Sequence, residues 1–595
     1  MTTEDMTCRV CDENVPHGEF CGNCGAAVSP RPGDGPSWFR LSTYSAAPAE
    51  HVLSPRVTST IFPALPRRSR PAFGLALLVV VALMPGIALP MWQAALIGLA
   101  GFGLPLLFLA YLGETHAFSD LSIGTVVTTA VLGVAFGVGW ALATDAAIAR
   151  TEDDALGLPV STLRLLVTVL AIPLGFLVLL LAPMIVVRLW RPGVRESLNG
   201  FTIGSFGALC FVSAGTLTRL APEFENGPIG DASRSPVDLV TAGLIQGVAL
   251  PLTAAAVGGA VGATLWFVPR VDSQRQPPWY ALSSPVPAVT FGVVAYLGLG
   301  MLELLAPPEV VQIGIYALLV VLALYVLRIV VHSTLLLEDP RRGYTSEPLS
   351  CPQCDRVVPD LPFCPRCGAA HHAARTSSAS TARLLLTVSI SLAVVMIASV
   401  AVSSWLTPPA ALVVCPPDCG RPPISKPIAI NPRFTPDGGE FSVSYPGPQT
   451  AYEAHFEPNG VVLDLGAGDG GTLRLFGQPA NGQSPKQIAD DLLKAHFPNA
   501  TFDYEIPNAF VGYQLGYGEV ADDYPADAIG DDGRNRVLIM VAVKNDYALV
   551  AAAAGPFREF SPDFGSGHPS GANFFLALDM AKYVNSFTWR GDPPR

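Results

Sequence analysis

The sequence predicts a polytopic α-helical membrane protein with about nine transmembrane helices, two small four-cysteine zinc ribbons and a C-terminal extracytoplasmic α+β domain. Three observations carry this. Half of the 595 residues are apolar and only 14% are charged, which excludes both a disordered chain and an ordinary soluble enzyme. Nine apolar stretches approach or exceed the ~20 residues that a helix needs to cross a hydrocarbon core of roughly 30 Å. A CxxC…CxxC cluster occurs twice, and strand-like runs fill the chain after the last apolar stretch. With a net charge of −12, nothing basic and extended is present to neutralise phosphates, so no nucleic acid is expected as a partner.

In chain order, residues 1–30 hold the first cysteine cluster and 31–71 read as a flexible cytoplasmic linker. The stretches 72–89, 92–112, 121–143, 162–187, 200–218, 237–268, 282–305 and 309–331 make an eight-helix membrane core over 72–332. A second ribbon at 345–372 precedes a ninth helix at 383–406, a Pro-rich stalk at 407–436 and the α+β domain at 437–592. Positively charged loops resist translocation. A cytoplasmic N-terminus puts eighteen Lys or Arg inside, among them Arg67, Arg68, Arg188, Arg191, Arg341 and Arg342, and leaves only Arg150, Arg219 and Arg234 in the short outside loops. The odd number of spans then puts the C-terminal domain outside.

CRVCDENVPHGEFCGNCGAA and CPQCDRVVPDLPFCPRCGAA align without a gap and share eleven of twenty positions, an internal duplication. Each is CxxC, nine residues, CxxC, a spacing that suits one tetrahedral zinc ion between two knuckles. The expected ligands are Cys8, Cys11, Cys21 and Cys24 in one copy and Cys351, Cys354, Cys364 and Cys367 in the other. A catalytic zinc would need an open coordination position and a redox pair a thioredoxin-like surround, so the pattern reads as two closed structural sites. These segments resemble the short zinc ribbons fused to many bacterial membrane proteins, a resemblance that implies protein–protein contact. Cys415 and Cys419, separated by Pro-Pro-Asp just beyond the ninth helix, suggest a small local disulfide on an oxidising face, with two free thiols as the alternative.

Ionisable residues inside apolar stretches are the default place to seek transport or catalysis. Glu303 is the clearest, Gln246 joins it as a possible intramembrane polar site, and Arg164 and Arg328 read as snorkelling near span ends. Small residues four apart, Gly133/Gly137, Gly204/Ala208 and Gly258/Gly262, predict closely packed helices. ESLNGFTIGSFGALCFVSAGTLT followed by LIQGVALPLTAAAVGGAVGA resembles the PrsW family of intramembrane proteases. That resemblance implies an acidic pair, a glutamate in the first of these helices and a histidine in the second. None is present, and Gly215 stands about where the glutamate would be.

In the C-terminal domain, Phe441–Tyr445, Val461–Leu465, Thr472–Phe476, Phe502–Ile506, Gln514–Val520, Val537–Val543 and Tyr547–Ala553 read as strands, with Asn545-Asp546 as a hairpin turn. Ser484 and Pro485 open a helix to about His496, and a second runs from about Asn573 to Asn585. VVLDLGAGDGG at 461–471 matches the glycine motif of methyltransferases, but the strand-like residues after it argue for a hairpin loop. The acidic stretch Asp522–Asp532 lacks the spacing of a calcium loop and reads as solvated. FSVSYPGP and NSFTW are similar to PsbP-like secreted domains, and the whole arrangement resembles a class of actinobacterial zinc-ribbon multi-pass membrane proteins. Function is expected to be that of a non-enzymatic scaffold or transmembrane relay of the cell envelope. The ribbons would bind a cytoplasmic protein and the external domain an envelope ligand or protein. A divergent PrsW-like protease and a transporter or channel subunit are the alternatives.

Overall fold

The computed structural model describes residues 5–8, 13–23, 25, 27–28, 43–53, 56–66, 68–115, 117, 121–148, 166–190, 196–224, 227–229, 236–269, 278–305, 307–338, 349–351, 354, 356–369, 381–407, 431–447, 450, 452–465, 471–524, 534–556 and 580–592. The chain begins with two short hairpins, β1 (Asp5–Thr7) with β2 (Asn14–Pro16) and β3 (Thr43–Tyr44) with β4 (Ala47–His51), then the single-turn helix α1 (Val57–Ile61). Apolar helices follow: α2 (Arg70–Ala88), α3 (Gln93–Glu114), α4 (Ile123–Ile148), α5 (Ile172–Trp190) and α6 (Ser197–Arg219). Then come α7 (Pro236–Leu244), α8 (Leu250–Trp266), α9 (Pro285–Leu305) and α10 (Glu309–Leu337). A π-helical turn, Ile245–Ala249, fuses α7 and α8 into one rod, and another, Val167–Ala171, opens α5. The short strands β5 (Leu349–Ser350) and β6 (Val357–Val358) precede α11 (Thr381–Leu406). Among the described residues nine helices are long and apolar enough to cross a membrane, in the same order as the nine stretches expected from sequence.

Helix α6 and the α7–α8 rod form the centre, with 89% and 83% of their most apolar windows buried. Their contact depends on glycine: a Cβ at Gly204 would run into the Gly258 carbonyl, and one at Gly262 into the Gly200 carbonyl. Gly133 and Gly137 bring α4 equally close to α6, against the carbonyls of Gly207 and Phe211. Such close backbone approach is how helices gain dispersion contacts where no hydrophobic effect drives them together. At the periphery α11 exposes Leu386, Ile390, Val394 and Ile397, one stripe at helical spacing that water would penalise and hydrocarbon would not.

Residues 31–71 were expected to form a linker, yet the described part of that stretch is folded against the bundle. Phe62 enters an aromatic cluster with Phe73, Phe108 and Tyr111, and Tyr111 Oη donates to the Pro63 carbonyl at 2.9 Å. Arg328, expected to snorkel, is instead 0% exposed. Its five N–H donors meet five acceptors, all from this arm: the Val52 carbonyl (3.0 Å) and Ser59 Oγ, Thr60 Oγ1, Glu50 Oε2 and the His51 carbonyl (each 3.1 Å). The Tyr44 ring covers the guanidinium at 4.1 Å, and Ser45 bonds His332 Nδ1 one turn further along α10. An arginine cannot lose its charge, so inside a helix bundle it must be given partners, and here the arm supplies them.

The C-terminal domain is built on a seven-stranded antiparallel sheet. It contains β9 (Tyr452–Glu457), β10 (Gly460–Leu465), β11 (Thr472–Pro479), β12 (Thr501–Glu505), β15 (Tyr517–Asp523), β16 (Asn535–Lys544) and β17 (Tyr547–Pro556), in the order β12-β15-β16-β17-β11-β10-β9. One face packs on α12 (Pro485–His496) through Ile488, Phe476, Ile539 and Val550. The other is covered by β7 (Arg433–Phe434), β8 (Phe441–Ser444) and β18 (Thr588–Trp589), with Tyr583 and Phe587 between them. The central strand β17 is buried from Ala548 to Gly555, as a strand covered on both faces must be. Asn545 and Asp546 both take positive φ in the expected two-residue hairpin, and Ser484 with Gln487 forms a full capping box at the expected helix start. Strand β10 returns through Gly471 into β11, antiparallel, with no helix after the glycines, so the methyltransferase motif is a hairpin. The strand read as Gln514–Val520 is two: β14 (Gln514–Leu515), which pairs with β13 (Phe510–Val511), and β15. Strand β9 was not foreseen; it is an edge strand, largely exposed. Of the helix expected at Asn573–Asn585, residues 573–579 lie outside the described residues; 580–583 are α-helical as expected and run into a 3-10 helix, Val584–Ser586.

Candidate metal centre

The second ribbon is held by its own backbone before any side chain is considered. Cys351 N–H donates to the Arg356 carbonyl at 2.8 Å, Cys364 N–H to Ala369 at 2.9 Å and Gly368 N–H to Cys364 at 2.8 Å. Gly368 sits at φ +75°, the left-handed conformation that lets the chain fold back on the last knuckle. These turns bring Cys351, Cys354, Cys364 and Cys367 together, their sulfurs all within 4.8 Å of one another. The Cys351–Cys367 and Cys354–Cys364 sulfurs are 3.8 and 3.9 Å apart. Zinc–sulfur bonds of about 2.3 Å in a tetrahedron place the sulfurs about 3.8 Å apart, so the donor set fits such an ion closely. Cys351 and Cys364 are buried and Cys354 and Cys367 half-buried. Thiol hydrogen bonds from Cys351 and Cys367 hold Cys364 well below the ordinary thiol range, while those with Cys351 and Cys364 push Cys367 up. A cation bound among the four sulfurs would favour the ionised form of these thiols.

The first ribbon repeats this backbone. Cys8 N–H donates to Glu13 and Gly25 N–H to Cys21, both at 2.9 Å, and Gly25 has φ +70°. The pairing Met6↔Val15 and Thr7↔Asn14 matches Leu349↔Val358 and Ser350↔Val357. Cys8 and Cys21 are buried around Val15 as Cys351 and Cys364 are around Val358; Cys11 and Cys24 lie outside the described residues.

The two ribbons pack on each other with a local two-fold relation. Phe20 N–H donates to the Pro365 carbonyl and Phe363 N–H to the Gly22 carbonyl, both at 2.9 Å. The Phe363 ring lies over Gly25 and the Phe20 ring over Gly368, and both rings are buried. A side chain at either glycine would meet the opposing ring, so the duplicated glycines serve the interface as well as the knuckle.

Of the other residues singled out from sequence, Cys415 and Cys419 lie outside the described residues. Glu303 is on α9, but its side chain is also outside them. Gln246 is buried in the π turn between α7 and α8, where Thr216 Oγ1 donates to its side-chain carbonyl at 3.3 Å. Sequence reasoning missed the Arg328–Glu50 network. The available signal was an arginine well inside α10, too far from its end to reach water without a partner.

No protein-family model and no curated protein matches the chain. A crystal structure from Bacteroides thetaiotaomicron aligns at 11% identity over 27% of this chain and 48% of that one, with a TM-score of 0.16. Superposition at that level carries no argument about fold or function.

Proposed function

We propose that this protein is a non-enzymatic membrane scaffold or transmembrane relay of the cell envelope. In this reading the N-terminus and both ribbons are cytoplasmic, each ribbon holds one structural zinc ion, and the sheet domain is extracytoplasmic. The lysine and arginine distribution supports that orientation, and the sulfur geometry around Cys351 supports the metal. The observation that carries the proposal is the pairing of the ribbons through Phe20 and Phe363. It makes one two-metal head from two segments too small to have cores of their own, and it leaves Val357 73% exposed for a partner protein. The arm between the first ribbon and α2 is held by Arg328, so a partner that pulls on the head pulls on the bundle. The sheet domain would bind an envelope ligand or protein.

Gly215 stands where a PrsW-like glutamate would, and no carboxylate or histidine among the described residues lines the cavity beside it, so nothing favours the protease alternative. The test is gentle cross-linking in the native host, purification of the intact protein, and comparison of wild type with Cys351→Ala/Cys354→Ala. A partner that co-purifies only with wild type, together with the loss of one of two bound zinc ions in the variant, is the expected result. Equal capture by both proteins, or none by either, would overturn the ribbon-scaffold reading.

A further inference from the structure

We propose that the C-terminal sheet domain binds a free α-amino acid with an apolar side chain, its ammonium against Glu519 and Asp490 and its carboxylate against Lys494 and Lys486. This names a ligand class for the sheet domain, so it rests on the reading that this domain binds a ligand, and not on the ribbons or their metal. The place is a groove of about 290 Å³ between α12 and the strands β12 and β15, near the lower end of small-molecule sites at roughly 300 Å³.

Packing alone does not explain the glutamate in the floor of this groove. Glu519 lies on the α12 side of β15 with 2% of its surface exposed. Tyr517, two residues back on the same face, donates its hydroxyl to Glu519 Oε2 at 2.9 Å, and Lys486 Nζ donates to that hydroxyl at 3.1 Å. Glu519 Oε1 is buried and receives no hydrogen bond, a loss that folding must carry. The register adds a second cost. Glu505 on β12 stands directly opposite Glu519, and like charges so placed destabilise a sheet. Burial raises the Glu519 carboxyl above the ordinary glutamate range; the Tyr517 hydrogen bond opposes this, and the charges of Asp490 and Glu505 add to it. A cationic donor supplied by a ligand would offset each of these costs.

The groove carries both signs of charge. Among the described residues, Asp490 and Glu519 line it together with Lys486 and Lys494. Positions 486, 490 and 494 share one face of α12, at a spacing where helical side chains can pair. Among the described residues Asp490 nevertheless bonds neither lysine, and Lys486 turns to Tyr517 instead. An ammonium group has three donors, so Lys486 keeps two to spare. A bare metal ion would meet the lysines and a bare anion the carboxyls, whereas a ligand with both signs close together satisfies the set. The remaining wall is apolar, formed by Leu493, Phe497 and Phe502, the last 58% exposed on the edge strand β12. An α-amino acid with an aliphatic or aromatic side chain presents all three parts from one carbon.

The experiment is equilibrium dialysis of radiolabelled L-phenylalanine at neutral pH against the full-length protein in mild detergent, with two competitors. 2-Phenylethylamine lacks the carboxylate, and N-acetyl-L-phenylalanine lacks the charged ammonium, as the C-terminus of a peptide does. We expect phenylalanine to saturate one site per chain and each competitor to bind about tenfold more weakly or worse, the effect of one charge-assisted contact. Lys494→Gln, at an exposed position, should weaken phenylalanine about tenfold and leave phenylethylamine unchanged. Glu519→Gln, which keeps an acceptor for Tyr517, should weaken both. Unchanged phenylalanine affinity in either variant would overturn the proposal. A competitor that binds as tightly as phenylalanine would also overturn it, while leaving the sheet domain a ligand site. No saturable binding of any of the three would overturn it and remove the support for a ligand site in this groove, with partner capture by the ribbons still to be judged by cross-linking.

Discussion

Replacing Glu50 with alanine should release the arm formed by residues 43–66 while leaving the helices assembled. Arg328 is fully buried, and Glu50 is the carboxylate that pairs with its charge, at 3.1 Å. Ser59 also donates to the same carboxylate. Removing one partner of a buried ion pair strands the other charge, at a loss of about 3–5 kcal/mol. At 1.4 kcal/mol per factor of ten, the undocked arm would rise in population by roughly a hundred- to a few-thousand-fold. All five acceptors of the guanidinium belong to the arm, so the whole penalty falls on that docking step. Hydrogen exchange measured by mass spectrometry on the detergent-solubilised protein reads this directly: peptides covering 43–66 should lose protection, and those from α6 and α8 should not. Replacing both residues, Glu50→Leu with Arg328→Leu, removes the stranded charge and should restore most of the protection. Unchanged exchange over 43–66 in Glu50→Ala would refute the reasoning, because it would mean that the pair does not hold the arm.

Three other outcomes follow from the same geometry. Phe363→Ala deletes a fully buried ring at the ribbon interface, which should cost about 3–5 kcal/mol and separate the ribbons without loss of metal, measurable as a longer spin-label distance between them. Cys364→Ala should lower bound zinc by one ion per chain in elemental analysis, and unchanged stoichiometry would disprove the site. In the sheet domain, burial by itself pushes the Asp522 carboxyl up, but hydrogen bonds and charge from Arg536 and Arg534, at 2.6–2.8 Å, outweigh it and hold the group below the ordinary aspartate range. A depressed carboxyl contributes stability that is complete above the unfolded value of about 3.9 and is lost as the pH falls below it. Asp522→Asn should therefore lower the domain's melting temperature at pH 7, by about 3 kcal/mol of stability, and flatten its decline between about pH 4 and pH 2, followed by the domain's near-ultraviolet transition; an equal decline in both proteins would count against the pair.

The sequence by itself determined the elements whose signal is local. Apolar length set the nine long helices, a spacing of two and nine residues set the cysteine knuckles, and Ser484-Pro485 and Asn545-Asp546 set a helix start and a hairpin. Each depends on residues close in the chain, so a short window contains the whole cause. Even the glycines that let α6 and α8 approach were visible as pairs four apart, although not which pair meets which. Tertiary structure alone decided the contacts between distant segments. Phe20 reaches Pro365, Glu50 reaches Arg328, and Trp140, Gly215 and Tyr296 converge on one cavity. The arm read as a linker because its composition is polar and Pro-rich, and nothing nearby in the chain needs those polar groups. The residue that needs them is an arginine inside a helix almost three hundred positions later, and the energy that orders the arm exists only once the bundle has buried that charge.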